Sequence, residues 1–276
     1  MTRTMTRAFC GTVFLAWIVA ALMAGLVQPA AETVDLERIL EPPGAAAWLG
    51  CDDLGRPVAA RLAAGARVSL VVAASVSVLA AVLGTALGVV SGWCGGLVDL
   101  CLVRLMDVVL AFPGLLLAIA LAAMLGPGID NVVVALAAVG WVSFARLARA
   151  QTLSLRSRDH VAAARALGVR TVRVLVRHVL PLIAAPLTVE FTFTFAAVII
   201  AEASLSFLGL GVQPPTASWG NMIRDGKDFL LVAPHMAIAP GAVMVCAVLA
   251  LNLAGDALRD RLDVTLKSPR GGARRR

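Results

Sequence analysis

Six apolar runs, at residues 9–29, 68–90, 104–125, 131–150, 183–205 and 234–255, alternate with polar or charged stretches along the chain. A helix needs about 20 residues to cross a hydrocarbon core of about 30 Å, and each run is of that order. The pattern predicts an all-α polytopic membrane protein with six transmembrane helices. The first run follows Arg3 and Arg7 and precedes VQPAAE, the outline of a secretory leader. It is longer than the roughly 7–15 residues usual for a leader core, and Pro29 spoils the cleavage site, so it reads as a retained helix.

Arginine placement orients these helices. With the N-terminus cytoplasmic, Arg3, Arg7, Arg104, the eight arginines from Arg146 to Arg177 and the seven basic residues from Arg259 to Arg276 fall inside. Arg38, Arg56, Arg61, Arg67, Arg224 and Lys227 fall outside. This asymmetry predicts that both termini are cytoplasmic. Residues 31–66 carry Glu32, Asp35, Glu37, Glu41, Asp52 and Asp53 with several Gly and Pro, and read as an external polar loop. The other large external segment, 207–233, opens with FLGLGVQPPTASWG. Its turn formers and apolar residues suit a segment lying on the membrane face or lining an external gate.

Composition agrees. At 60% hydrophobic and 15% charged residues, with mean hydropathy +0.89, the chain is too apolar for a soluble domain of its length. A net charge of +7 would suit a nucleic-acid partner, but its one-sided distribution is topological, and the RGGARRR tail reads as a cytoplasmic anchor. Cys94 and Cys101 form no CxxC pair and have no histidine near them in sequence, so they read as packing residues and not as a metal site.

Catalytic signatures are missing. A P-loop needs GxxxxGK[ST]; Lys227 follows Gly226, but Asn221 and Asp228 break the pattern, and Lys267 follows a leucine. Neither HExxH nor GxSxG occurs, and His160, His178 and His235 are dispersed. Any energy from ATP has to enter through a partner chain.

Charges within the apolar runs need an account, because each costs about 2.5–3.5 kcal/mol at a helix centre on insertion scales. Asp107 has Arg104 three residues before it, a local ion pair at the cytoplasmic edge. Glu190 fits either the translocation path, facing a cationic group of a cargo, or a contact with a neighbouring subunit. Glu202 fits an outer gate or a helix contact. The two glutamates are about 18 Å apart along a helix and about 120° around it, so they cannot share a partner. Pro113–Gly114 predicts a kink in the third helix. Glu190, Glu202 and Pro113 are thus the candidate path or gate residues.

The stretch HVAAARALGVRTVRVLVRHVLP, 160–181, holds Arg165, Arg170, Arg173 and Arg177 between two apolar runs. On a wheel of 169–180, Arg170, Arg173 and Arg177 fall within about 60°, with Val172, Leu175, Val176 and Val179 opposite. VAAARAL favours helix, Gly168 stands where that helix ends, and Pro181 suits the first turn of the next span. Two short helices hinged at a glycine are expected at the cytoplasmic surface. The wheel alone fits a helix resting on lipid as well as it fits a docking element.

AAARALG, nine residues, then HVLP resembles the EAA loop of bacterial ABC importer permeases. Ala163 and Ala164 match its paired alanines, Gly168 its glycine, and His178, Leu180 and Pro181 its ending. Ala162 stands where the family has glutamate, which removes one polar contact to the ATPase. GCDDLGRPVAARLAAGARVSL (50–70) is similar to the entry segment of the dipeptide/oligopeptide/nickel branch, with Cys51, Pro57 and Ala60 replacing Thr, Asp and Ser. DVVLAFPGLLLAIAL (107–121) looks like the third helix of that branch, and EASLSFLGLGVQPPTASWGNMIRDG (202–226) like its most specific signature, with Ala217 for a proline. APG (239–241) and NLAGDALRDRLD (252–263) resemble its last helix and tail.

The resemblance implies a type I ABC importer transmembrane fold with one extra N-terminal helix. It implies a helix over 1–30, the external loop 31–66, a five-helix core over 67–256 carrying the cytoplasmic coupling loop 151–181, and a basic tail over 257–276. An inner-membrane permease that is not an enzyme is implied, with ATP and Mg bound by partner ATPase subunits. The loop would dock in a groove of an ATPase subunit at Ala162, Ala163, Ala164, Gly168, His178, Leu180 and Pro181, and the paired permeases would sit together on two ATPases. The other implied partners are the lipid bilayer, a second homologous permease forming a heterodimer, and an extracytoplasmic substrate-binding protein. Nucleic acid is not among them. The implied cargo is a peptide or related small solute, nickel complexes included. An ion-coupled secondary transporter would show paired intramembrane acids or inverted repeats, and neither is evident. A membrane scaffold would not need so specific a loop.

Overall fold

The computed structural model describes residues 3–45 and 47–262, so most of the basic tail lies outside the described residues. Ten α-helices are described: α1 (Arg3–Glu32), α2 (Val58–Cys94), α3 (Gly96–Leu110), α4 (Gly114–Leu125), α5 (Ile129–Arg156), α6 (Asp159–Ala166), α7 (Thr171–Val174), α8 (Leu180–Phe207), α9 (Trp219–Gly226) and α10 (His235–Leu262). Among the described residues the only β pairing is an isolated bridge between Cys51 and Pro57.

Five helical runs are each long and apolar enough to cross a membrane: Ala8–Glu32, Val58–Cys94, Ile129–Arg156, Thr171–Phe207 and His235–Leu262. The third apolar run is bent far beyond a kink, since α3 and α4 meet at 86°. Phe112 precedes Pro113, which disfavours helical backbone there, and Pro113 offers no N–H to continue the ladder. Counted as one broken span, this pair brings the total to six. The N-terminal end of α2 begins at Val58, inside the segment read as loop, so Arg61 is helical.

Why α2 and α5 pack is a matter of small residues. Gly84, Gly88 and Gly92 recur every fourth position and so share one stripe of α2. A Cβ added at Gly84 or Gly88 would collide with the carbonyl oxygens of Trp141 and Ala145, and one at Gly92 would lie 2.8 Å from the carbonyl oxygen of Arg149. Lipid is as apolar as the helices, so close backbone approach and the dispersion it permits hold such a pair together.

Near the Val58 end of α2, two tryptophans join α1 and α9 to it. Trp17 Nε1–H donates to the Ala66 carbonyl at 3.0 Å and Trp219 Nε1–H to the Leu62 carbonyl at 3.1 Å. Their rings lie 5.6 Å apart. Each apolar ring body is buried with its one polar atom satisfied. The main core continues through Val72, Val76, Ala135, Ile199 and Leu205.

Candidate functional site

The segment between α5 and α8 folds into a hairpin of α6 and α7. Gly168 lies at φ +76°, the left-handed region. Its N–H donates to the Arg165 carbonyl at 3.0 Å, and the Val169 N–H donates to the Ala164 carbonyl at 3.1 Å. This paired closure of a helix end wants glycine at that position. An added Cβ at Gly168 meets nothing within 4 Å, so backbone conformation and not space demands the glycine.

Val161, Ala164 and Val174 form the hairpin's own buried core, with Val169 and Trp93 packed against it. Opposite that core, Ala162, Ala163 and Gly168 are exposed, as is Leu167 at 82%. Val172 and Val176 are also exposed, at 72% and 58%, while Val174, which the wheel sets near the arginines, is fully buried. Val172 and Val176 thus lie on the outward apolar face that the wheel sets against the arginines, but one α-helical period does not run through the whole segment. α7 is a single turn, and Leu175–Val179 forms a π-helical turn that resets the phase.

The same turn explains Pro181. In an unbroken α-helix Pro181 would lack the N–H for the Arg177 carbonyl and crowd it. The wider turn accommodates the ring, with the Leu180 N–H donating to the Leu175 carbonyl. Pro181 stands in the first turn of α8, as expected, while α7, the π turn and α8 run on as one apolar helical span from Thr171 to Phe207. Leu180 is half-buried, packed on a cluster of Val89, Ala148, Val179 and Ile183. His178 is half-buried and Pro181 exposed.

Intramembrane acids find partners that sequence proximity does not reveal. Asp107 lies 3.9 Å from Arg104 but 3.1 Å from Arg146 of α5, so the closer pairing crosses between helices. Asp99 receives Arg149 in a two-point contact at 2.6 and 2.8 Å and also the Ser91 hydroxyl, tying α3 to α5 and α2. Glu202 is 1% exposed and accepts from Ser69 Oγ at 3.2 Å and Ser206 Oγ at 2.7 Å. Its surroundings are a contact between α8 and α2. Glu190 lies elsewhere, in a cleft of about 570 Å³ with Gln151, Pro186, Phe193 and Arg259. It makes no hydrogen bond or ion pair among the described residues. Pro113 is exposed at the α3–α4 break. Cys94 and Cys101, read as packing residues, are exposed on this chain.

The segments 50–70 and 202–226 meet in space. Asp52 Oδ1 accepts from the backbone N–H groups of Leu54 and Arg56, at 2.9 and 2.8 Å. Its Oδ2 accepts from Arg56 Nε at 2.8 Å and Arg61 Nη1 at 2.5 Å. Arg61 Nη2 reaches Asp225 of α9 at 3.4 Å. His235, first residue of α10, has Nε2 3.1 Å from the Cys51 carbonyl oxygen. Asp53 is left out, since its buried Oδ1 accepts no hydrogen bond and lies 3.7 Å from Arg56 Nη2. Burial, and then the Asp52 charge, raise its pKa above the ordinary aspartate value. Burial likewise pushes up the Cys51 thiol. A capping box at Ser218 and Asn221 starts α9. Single charges along a sequence do not announce this network.

Comparison with known proteins places the architecture. Residues 84–268 match the family model described as binding-protein-dependent transport system inner membrane component. The chain is 42% identical over 260 residues to the glutathione transport system permease protein GsiD of Pectobacterium atrosepticum, covering 94% of this chain and 86% of that protein. It is 42% identical over 253 residues to a putative peptide transport system permease protein of Brucella suis, covering 91% and 84%. A chain of the methionine ABC transporter MetNI, in inward-facing form, shares the fold with a TM-score of 0.59 at 16% identity, over 73% of this chain and 95% of that one. The chain therefore belongs to the family of binding-protein-dependent transport system inner membrane components: it is a membrane-spanning permease subunit of an ABC importer, whose ATPase is a separate subunit.

Proposed function

We propose that this chain forms half of the translocation path for peptides or a peptide-like solute such as glutathione. It pairs with a second homologous permease, stands on two ATPase subunits that hold ATP and Mg, and receives cargo from an extracytoplasmic binding protein. Both termini face the cytoplasm. The named relatives, glutathione and peptide permeases, support the cargo class.

One observation carries the coupling role. The hairpin of α6 and α7 keeps its shape through its own buried valines and alanine, yet exposes Leu167, Val172 and Val176 beside Ala162 and Ala163. A rigid, partly apolar knob at a helix hairpin is the shape that a groove on an ATPase can grip. With Ala162 in place of glutamate, docking rests on apolar fit and on the exposed Arg170, Arg173 and Arg177. ATP-driven closure of the ATPases would then move the knob and shift the bundle between two packings, the balance of which the loaded binding protein also biases. Glu190, an unpaired carboxylate in a cleft with Gln151, supports a path role facing the amino group of a peptide.

Gentle extraction of the tagged chain followed by mass spectrometry tests the assembly. Co-purification of a second permease and an ATPase, with ATP-dependent uptake of a labelled tripeptide by vesicles of the complex, is the expected result. A chain that comes out alone even after cross-linking overturns it.

A further inference from the structure

Trp93 closes α2, next to its last residue Cys94. It packs against the hairpin core of Val161, Ala164 and Val174. It also packs against the bundle core of Val89, Ala148, Val179 and Ile183. Among the described residues it alone appears in both clusters. The Arg165 guanidinium of α6 lies over its ring, 5.7 Å from the centroid. From the last turn of α5, Arg156 Nη1 donates to the Trp93 carbonyl at 3.0 Å.

A tryptophan at the end of a membrane helix ordinarily anchors that helix among lipid headgroups. Trp93 is differently engaged: both packing surfaces and the cation over its ring come from this chain. We propose that Trp93 is the positioning residue that passes motion of the α6–α7 hairpin into α2. The proposal rests on the coupling reading above.

The physical reason is packing. Close-packed interiors shift between discrete arrangements and do not stretch. When the hairpin core moves, a rigid ring wedged in it must either leave that core or carry the end of α2 along. The Arg165 guanidinium over the ring holds it against leaving, and the bond from Arg156 to the Trp93 backbone carbonyl fastens the end of α2 to the last turn of α5. Displacement of α2 then reaches α5 without slack, because Gly84, Gly88 and Gly92 set the two backbones in direct contact.

The test uses the complete complex, with permeases, ATPases and binding protein, reconstituted in liposomes. W93L keeps apolar volume in both cores but offers neither a rigid plate nor a π face. W93L should assemble with its ATPases and hydrolyse ATP at the basal rate within about twofold. Transport per ATP hydrolysed should fall about tenfold, within the usual range of coupling between sites. W93F, which restores an aromatic face, should recover most of it. Wild-type stoichiometry in W93L overturns the proposal. Should W93L fail to assemble, R165M takes its place, removing the cation while leaving both cores intact. R165M should lower the transport-to-ATP ratio about threefold, and a wild-type ratio there is equally fatal. L167D, on the exposed knob, separates this proposal from the one beneath it. An L167D complex that keeps its ATPases sinks the docking reading. One that sheds them, beside a fully coupled W93L, refutes only the role of Trp93.

Discussion

Asp52 and Asp53 are neighbours of one residue type, and their surroundings make opposite uses of them. Asp52, 2% exposed, faces Arg56 and Arg61, themselves 6% and 3% exposed. Removing it leaves two buried guanidiniums without their closest counter-charge, and breaking a buried pair in this way costs about 3–5 kcal/mol. D52A should therefore accumulate poorly and, if purified, melt well below wild type in a detergent thermal-shift assay. Asp53 has a pKa raised in the fold, so its contribution is fully present below the unfolded-state value and is lost as pH rises through the folded value. At neutral pH its charge is a liability. D53N should melt slightly higher there, by less than about 1 kcal/mol for a half-buried group, and the gain should vanish as pH falls below about 4. A gain that persists in acid would contradict the assignment. Sequence alone reads both aspartates as loop charges, because nothing local marks which will meet Arg61, nine positions on and in a helix.

Among the elements, two glycines, one in the turn between α6 and α7 and one within α2, answer to different constraints. At Gly168 there is room for a side chain but the backbone is left-handed. A β-branched residue resists that conformation, with an L-residue penalty of roughly 1–2 kcal/mol. G168V should insert normally yet lose several-fold in ATPase co-purification and in uptake, with G168A milder. Gly88 shows the converse: its backbone is ordinary helix, but an added methyl strikes the Ala145 carbonyl. G88A should destabilise by about 1–3 kcal/mol through overpacking, whereas G25A, with nothing within 4 Å, should leave the melting temperature unchanged. The hinge glycine was legible from its place after VAAARAL. The stripe on α2 was hidden within a run read only for its hydropathy. The continuity of α7 with α8 was likewise hidden, because a π turn carries no propensity signal of its own.

For the molecule as a whole, the polar groups divide between fastening and transport. Asp99, Asp107 and Glu202 are each satisfied by another helix. Among the described residues Glu190 has no hydrogen-bond or ion-pair partner, in a cleft between α5, α8 and α10. E190Q should assemble fully and lower peptide transport about tenfold, a loss of about 1.4 kcal/mol of cargo stabilisation. Unchanged transport would instead assign Glu190 to a subunit contact. The sequence left both Glu190 and Glu202 as path or gate candidates, and packing separates them by giving Glu202 a helix contact.

The apolar runs, their arginine asymmetry, the helix-ending glycine, the Pro113 break and the family motifs are properties of neighbouring residues. Local residues therefore suffice for the class of the protein, its apolar runs and the position of the hairpin for which a coupling role is proposed. Tertiary structure decided which valines of that loop face outward, which aspartate is paired, which glycines bear a helix contact, and that one tryptophan joins two cores. Those depend on partners as far apart as Asp107 and Arg146 or Arg61 and Asp225, 39 and 164 positions in the chain. Periodicity orders residues within an element, but only the packing of elements against one another selects such partners.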